Sequence, residues 1–485
     1  MDAGGARYGR ENPTPWVPPP KPAPEAAAPQ PRDEDGPNVT IAPLRKLLSS
    51  RQTSEPGWRA TARADLLRAL AVKGCTACGA RSSAEQHWMS SFVHETNADP
   101  DVRASIRAAR GLCAAHLRLA HEQTEAPFVL AIVHEEVAAA RIADLGARGR
   151  HPAGECPVCT AAARDEATRM QSLCVLFGDA AIRAALRDGD GLCVPHWTSL
   201  AAELPPAELP ALLDLAAAAL ADPSLEPGEL LAGQHPDLAR RTPLLREAMT
   251  AQRAWAEDAR AVPAAARVLA EAGAGCCAVC RSAQFGAAGY LSWLAGLNDG
   301  FRLRLEPGEY SLCGTHLGDL SVTHPSTAEW IAADHLVGAR DACAGAIAVL
   351  DGIGPRRDAA DDALTRLTSL RPCPACHAGA TTAERTTALL AAGLHDAAVR
   401  AELRAGHGLC ADHAPALSRR AGSPLPVEVL RARLELLRWE LAEASRRRGW
   451  RVRHEPSGPE GTAWLRAPSL LCGDAYLGLP PPATF

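Results

Sequence analysis

Cys156-Pro157-Val158-Cys159, followed by Gly191-Leu192-Cys193-Val194-Pro195-His196, is the stretch whose reading decides the fold. A CxxC and a later CxxH supply three soft thiolates and one imidazole, a donor set that suits a closed tetrahedral metal site. The pattern is repeated. Cys75, Cys78, Cys113 and His116 precede it, and Cys277, Cys280, Cys313 and His316, then Cys373, Cys376, Cys410 and His413, follow it. The gap between the second and third cysteine is 34, 33, 32 and 33 residues in chain order. A leucine precedes the third cysteine each time (Leu112, Leu192, Leu312, Leu409), and a glycine precedes that leucine in three units (Gly111, Gly191, Gly408), with Ser311 in the remaining one.

The spacing has a physical rationale. Backbone N–H groups of a CxxC turn can hold both sulfurs on one ion. A CxxH at a helix start sets Cys and His one turn apart, where the helix dipole favours the thiolate. The intervening residues can form two antiparallel helices, out and back, each of ~15 residues and roughly 22 Å. The glycine before the leucine suits a left-handed residue that ends the returning helix. Each CxxH is therefore expected beside the CxxC of its own unit. Zinc is the first choice of metal and an iron–sulfur cluster the alternative. Disulfides are the competing reading of any cysteine pair, and the lack of a secretory pattern argues against them.

The chain has 485 residues, 47% hydrophobic and 22% charged, with only 4% aromatic. Cores must then be built from Ala, Leu and Val, which favours closely packed helices. The formal charge of −5 becomes more negative once twelve thiolates hold four divalent ions, so a general affinity for nucleic acid or anionic membrane is not expected. Lysine is confined to Lys21, Lys46 and Lys73. The best apolar run, Ala211 to Ala221, is short and carries Asp214, so no membrane span is expected. The N-terminus lacks a basic-then-apolar leader, and the expected compartment is the cytoplasm.

Residues 1–40, with Pro18-Pro19-Pro20 and Asp33-Glu34-Asp35, read as a disordered tail. Four helical metal-binding units are expected over 41–150, 151–221, 241–355 and 356–455, with a Pro/Gly/Asp linker at 222–240 and a tail at 456–485. Helices are expected near 58–72, 84–95, 99–110 and 128–145, with Asp99-Pro100 as N-cap and first-turn proline. Further helices are expected near 207–221 and 333–350. Trp255 stands before the third unit as Trp58 stands before the first, and unit starts differ by 202 and 217 residues. Two tandem halves from an internal duplication would explain both. Val427, Leu430, Leu434, Leu437 and Leu441 form the clearest helical stripe, expected to pack on its own unit. Cys174 and Cys343 fall on apolar stripes and read as core residues, Cys276 as a spare beside Cys277, and Cys472 has no partner motif.

Other chemistry finds little support. Cys373-Pro-Ala-Cys376-His377 matches a haem-attachment string that the other units lack, and the HxE that zinc deaminases need before their PCxxC occurs only far upstream, at His134-Glu135-Glu136. There is no HExxH, phosphate loop or dinucleotide fingerprint, so no catalytic residue is assigned. His87, His134 and His335 read as surface or core groups.

The repeated CPxC…GLCxxH unit, clearest at Cys156–His196 and Cys373–His413, resembles a family of bacterial helical proteins with repeated Cys3His motifs and no established activity. Trp464-Leu-Arg-Ala looks like that family's closing motif. The resemblance covers roughly 57–473, and the first and third units, without the proline, are its diverged copies. It implies a repeat protein and no reaction.

The expected molecule is all-α, four metal-stapled helical units in two halves. Its expected role is a scaffold or adaptor for another protein, since a closed site leaves no position for substrate. Redox or electron-transfer work is the alternative. Nucleic-acid binding through the basic helix end Arg446, Arg447, Arg448, Arg451 and Arg453 is a second one.

Overall fold

The computed structural model describes residues 56–121, 126–146, 154–221, 264–272, 275–300, 312–353, 373–449 and most of 451–473. The expected tail at 1–40, the linker at 222–240, Trp255, Ser311 and Cys472 lie outside the described residues. Among the described residues the protein is all-α, with no strand.

The first half contains α1 (Pro56–Leu70), α2 (Thr76–Ser91), α3 (Pro100–Ala108), α4 (Ala114–His121), α5 (Ala126–Gly146), α6 (Pro157–Leu176), α7 (Ala180–Asp188), α8 (Val194–Glu203) and α9 (Leu209–Ala221). The second contains α10 (Ala264–Ala272), α11 (Ala278–Gly300), α12 (Gly314–Thr323), α13 (Pro325–Ile353), α14 (Pro374–Gly393), α15 (Ala397–Ala405), α16 (His413–Ala421), α17 (Leu425–Arg447) and α18 (Ala463–Leu471).

The helices after each CxxC begin inside the motif, earlier than expected. Cys75, Cys156 and Cys373 are N-cap residues in extended or near-extended backbone, and their carbonyls accept the i+4 N–H that starts the helix. Proline at the first helical position, as in Pro157 and Pro374, has its φ already set and no N–H to leave unpaired. The return legs start at Asp99, Asp179 and Asp396, whose carboxylates accept N–H groups of the first turn. Gly111, Gly191 and Gly408 hold positive φ at the turn into each CxxH, as the sequence pattern predicts.

The legs are unequal. Outgoing α6 and α14 have 20 residues each, about 30 Å. Returning α7 and α15 have 9 each, about 14 Å. A return leg therefore stops halfway along its own outgoing helix, and a CxxH cannot reach the CxxC of its own unit.

The antiparallel neighbours α2 and α6 pack together, as do α11 and α14. The apolar stripe of α17 packs on α15 and α16 of its own unit, as expected, but is covered more extensively from outside it. Leu430, Leu434, Leu437 and Leu441 share a buried cluster with Val129, Leu130, Val133, Val137 and Ala138 of α5 in the first half. Likewise α9 packs on α13, and Leu212, Leu213, Ala216 and Leu220 meet Ala339 and Cys343. The final helix of each unit is thus buried against a helix of the other half.

Candidate metal centres

Sixteen Cys and His side chains converge into four Cys3His groups, with donor atoms all within 4.8 Å of one another in each. Their membership differs from the sequence expectation. Cluster 1 is Cys75, Cys78, Cys193 and His196; cluster 2 is Cys113, His116, Cys156 and Cys159. Cluster 3 is Cys277, Cys280, Cys410 and His413; cluster 4 is Cys313, His316, Cys373 and Cys376. Every CxxC has exchanged CxxH partners with the neighbouring unit of its half. The pairs nest: in each half, an outer CxxC and CxxH enclose an inner CxxH and CxxC. The short return legs force this correction, because each CxxH ends nearer the N-terminus of the antiparallel neighbour.

The dimensions fit one ion per group. Zn–S bonds of about 2.3 Å and a Zn–N bond of about 2.0 Å in a tetrahedron give S···S edges of about 3.8 Å and S···N edges of about 3.5 Å. Cys78 Sγ lies 3.8 Å from Cys193 Sγ, and Cys113 Sγ 3.7 Å from Cys159 Sγ. Cys280–Cys410 and Cys313–Cys376 are both 3.8 Å. Each imidazole turns Nδ1 to the sulfurs, at 3.0–3.5 Å in cluster 1 and 3.2–3.6 Å in cluster 3. A disulfide would need sulfurs about 2.05 Å apart.

Most donors sit at a helix N-terminus, and all eight leading cysteines accept a backbone N–H from the first turn through their carbonyls. The local field favours anionic sulfur. Hydrogen bonds from Cys193 and Cys78 hold the Cys75 thiol well below its ordinary range, against burial. Cys156 is lowered in the same way, by Cys113 and Cys159. Burial pulls the His116 imidazole down, but hydrogen bonds with Cys113, Cys156 and Glu85 outweigh it and raise the ring to about 11.

Neighbouring chain covers clusters 1 and 3. Asp190, two residues before Leu192, accepts the Gly74 N–H at 2.5 Å over cluster 1. At cluster 3, Leu470 O accepts the Ala411 N–H at 2.9 Å, and Gly473 rests on the thiols. A methyl at Gly473, whose φ is +74°, would lie 2.9 Å from Cys410 Sγ and 3.0 Å from Cys280 Sγ. Cluster 4 is the most open, with Cys376 exposed.

The imidazoles of the first half have a further partner that the motif search missed. His196 Nε2 lies 2.6 Å from Glu166 Oε1, and His116 Nε2 lies 3.4 Å from Glu85 Oε1. Arg81 binds both carboxylates, Glu85 at 3.2 Å through Nε and Glu166 at 2.9 Å through Nη1. The signal was present in the sequence: Glu85 and Glu166 each stand seven residues after the second cysteine of a CxxC.

The remaining cysteines lie outside the groups. Cys343 is buried in the seam between the halves. The Cys276 thiol donates to Ala272 O and the Cys174 thiol to Glu203 O. His87 and His377 are exposed. His134 is buried in the core and, among the described residues, its Nδ1 has no hydrogen-bond partner.

The chain matches no family model, no curated protein and no solved structure. No helix among the described residues is long and apolar enough to cross a membrane.

Proposed function

We propose that the four groups hold zinc and that the protein is a metal-stapled helical scaffold that engages another protein. The carrying observation is the convergence of four Cys3His sets with the edge lengths of a single tetrahedral ion. All four positions of each set are filled by protein, which supports a structural ion over a catalytic one. Exposed Trp58, Trp293, Trp330 and Trp439 are the kind of side chain that anchors protein contacts.

The alternatives are weaker. A multi-iron cluster distributes its cysteines over different irons and spreads them apart, whereas these donors all fall within 4.8 Å. The basic end of α17 is already engaged: Arg446 pairs with Glu443 and Glu455, Arg447 with Glu443 and Glu460. The Arg448 guanidinium lies 5.2 Å over the Phe128 ring. Little of that charge is left for a phosphate backbone.

Metal analysis with a visible spectrum, on protein purified without oxygen, tests the reading. About four zinc per chain in a colourless solution is expected. Iron with matching sulfide, or no metal, would overturn it.

A further inference from the structure

Clusters 1 and 2 lie at opposite ends of one antiparallel helix pair, and each helix serves both. Helix α2 starts at cluster 1 with Cys75 and Cys78 and, two turns on, places Glu85 against His116 of cluster 2. Helix α6 starts at cluster 2 with Cys156 and Cys159 and, two turns on, places Glu166 against His196 of cluster 1. Seven residues of helix span about 10.5 Å, so the carboxylate that orients one imidazole is delivered by the helix anchored at the other cluster. Arg81, one turn after Cys78, holds both carboxylates at once.

With reference to the zinc reading above, on which this rests, we propose that Glu85, Arg81 and Glu166 are positioning residues that make clusters 1 and 2 fill and empty as a coupled pair. An imidazole bound through Nδ1 has Nε2–H free to donate to a carboxylate. Such a partner fixes the ring and typically alters metal affinity by about 10–100-fold. A filled cluster 1 fixes His196, which fixes Glu166. Glu166 holds the Arg81 fork, and the fork sets Glu85 in place for His116. The same chain runs in reverse, as the reciprocity of coupling requires. The second half supplies the internal contrast. Ala283, Ala287, Gly379 and Ala383 occupy the +3 and +7 positions of its CxxC helices, so neither an arginine nor a carboxylate spans α11 and α14 at these places. Clusters 3 and 4 are expected to empty one at a time.

The test uses the full-length zinc-loaded protein. Zinc is withdrawn with limiting chelator, freed thiols are trapped by alkylation, and intact molecules are fragmented in a mass spectrometer to count labels on the six cluster cysteines of residues 57–221, with Cys174, which lies outside both clusters, scored apart. The expected wild-type molecules carry no labels or labels on all six cluster cysteines. Arg81→Met is expected to create molecules labelled at only three, with zinc at the two clusters lost at chelator concentrations at least about 10-fold apart. Glu85→Gln keeps an acceptor for His116 but loses the ion pair to Arg81, and is expected to produce the same three-label species. Arg81→Lys, unable to fork, is expected to restore little. A purely structural Arg81 would weaken both clusters while leaving loss all-or-none. That outcome, or abundant three-label molecules in the wild type, overturns the proposal. Labelling of every cluster cysteine before any chelator is added would overturn the zinc reading itself.

Discussion

The two halves of the molecule solve the same problem with opposite chemistry. Both cross two CxxC helices and nest two Cys3His groups around them. In the first half the crossing of α2 and α6 is filled by Arg81, Glu85 and Glu166, which reach from helix to helix and out to both imidazoles. In the second, α11 and α14 touch backbone to backbone. A methyl at Gly286 would stand 2.7 Å from Ala378 O, and one at Gly379 3.0 Å from Ala283 O. The shared feature, the exchanged motif, is what the fold requires. The filling of the crossing is free to vary, and it determines whether the two groups of a half communicate.

The largest expected effect comes from breaking a cluster. Structural zinc contributes folding free energy on the order of 10 kcal/mol in small zinc peptides. With free zinc in excess, so that the weakened cluster 2 stays filled, Cys193→Ser should therefore lose one zinc per chain and expose α2 as well as α8 to hydrogen exchange. Cys174→Ser, whose thiol donates to the Glu203 carbonyl outside the clusters, should keep full metal content. Equal zinc loss from both variants would break the assignment in the half where it is best defined.

The junction of the halves should respond to acid. His121 stacks on Trp464 at 4.7 Å. Burial pushes His121 down to about 4, and burial with the nearby His121 charge pushes His134 down to about 3. Both sit well below the ordinary value of 6.5, so the unfolded chain binds more protons between these limits. Stability is complete above about pH 6.5 and falls as pH drops toward 4, by on the order of 2 kcal/mol per histidine at pH 5. Denaturant melts of wild type and His134→Gln between pH 7 and 5 check this. A wild type whose stability is flat over that range would contradict it.

A smaller effect separates the crossings. Gly286→Ala should cost about 1–3 kcal/mol by forcing α11 off α14, read as a lower thermal midpoint with clusters 1 and 2 still protected. A neutral result would show that the close approach is not what holds this half. Smaller still is a difference in rate: cluster 4, with Cys376 exposed, should yield its zinc to a chelator before cluster 3, which is sealed by Gly473.

Much of this was legible beforehand. The helices, the all-α class and the glycine turns at Gly111, Gly191 and Gly408 follow from local pattern, because N-caps and positive φ are decided within a few residues. The pairing was not legible. In the first half a CxxH lies 33 or 34 residues beyond the preceding CxxC, whereas exchange joins Cys156 to His116 across 40 positions and Cys78 to Cys193 across 115, so loop length by itself points to the wrong partner. The answer turns on leg length: α6 runs 20 residues without a break and α7 returns only 9. Similarly, the α17 stripe announces a buried face without saying which helix covers it, and its cover, α5, is about three hundred residues away in sequence (Glu135 to Arg438). The Glu85 and Glu166 repeat was visible, but only the antiparallel crossing gives it meaning.

The exchange of CxxH partners between neighbouring units can be read from one variant. His196→Ala removes a ligand from a single group, after which reactive thiols are alkylated and mapped by mass spectrometry. With free zinc in excess, so that the weakened cluster 2 stays filled, exchange predicts labels on Cys75, Cys78 and Cys193, with Cys156 and Cys159 still protected by His116 and Cys113. Labels on Cys156, Cys159 and Cys193, with Cys75 and Cys78 protected, would show instead that each unit closes on its own metal.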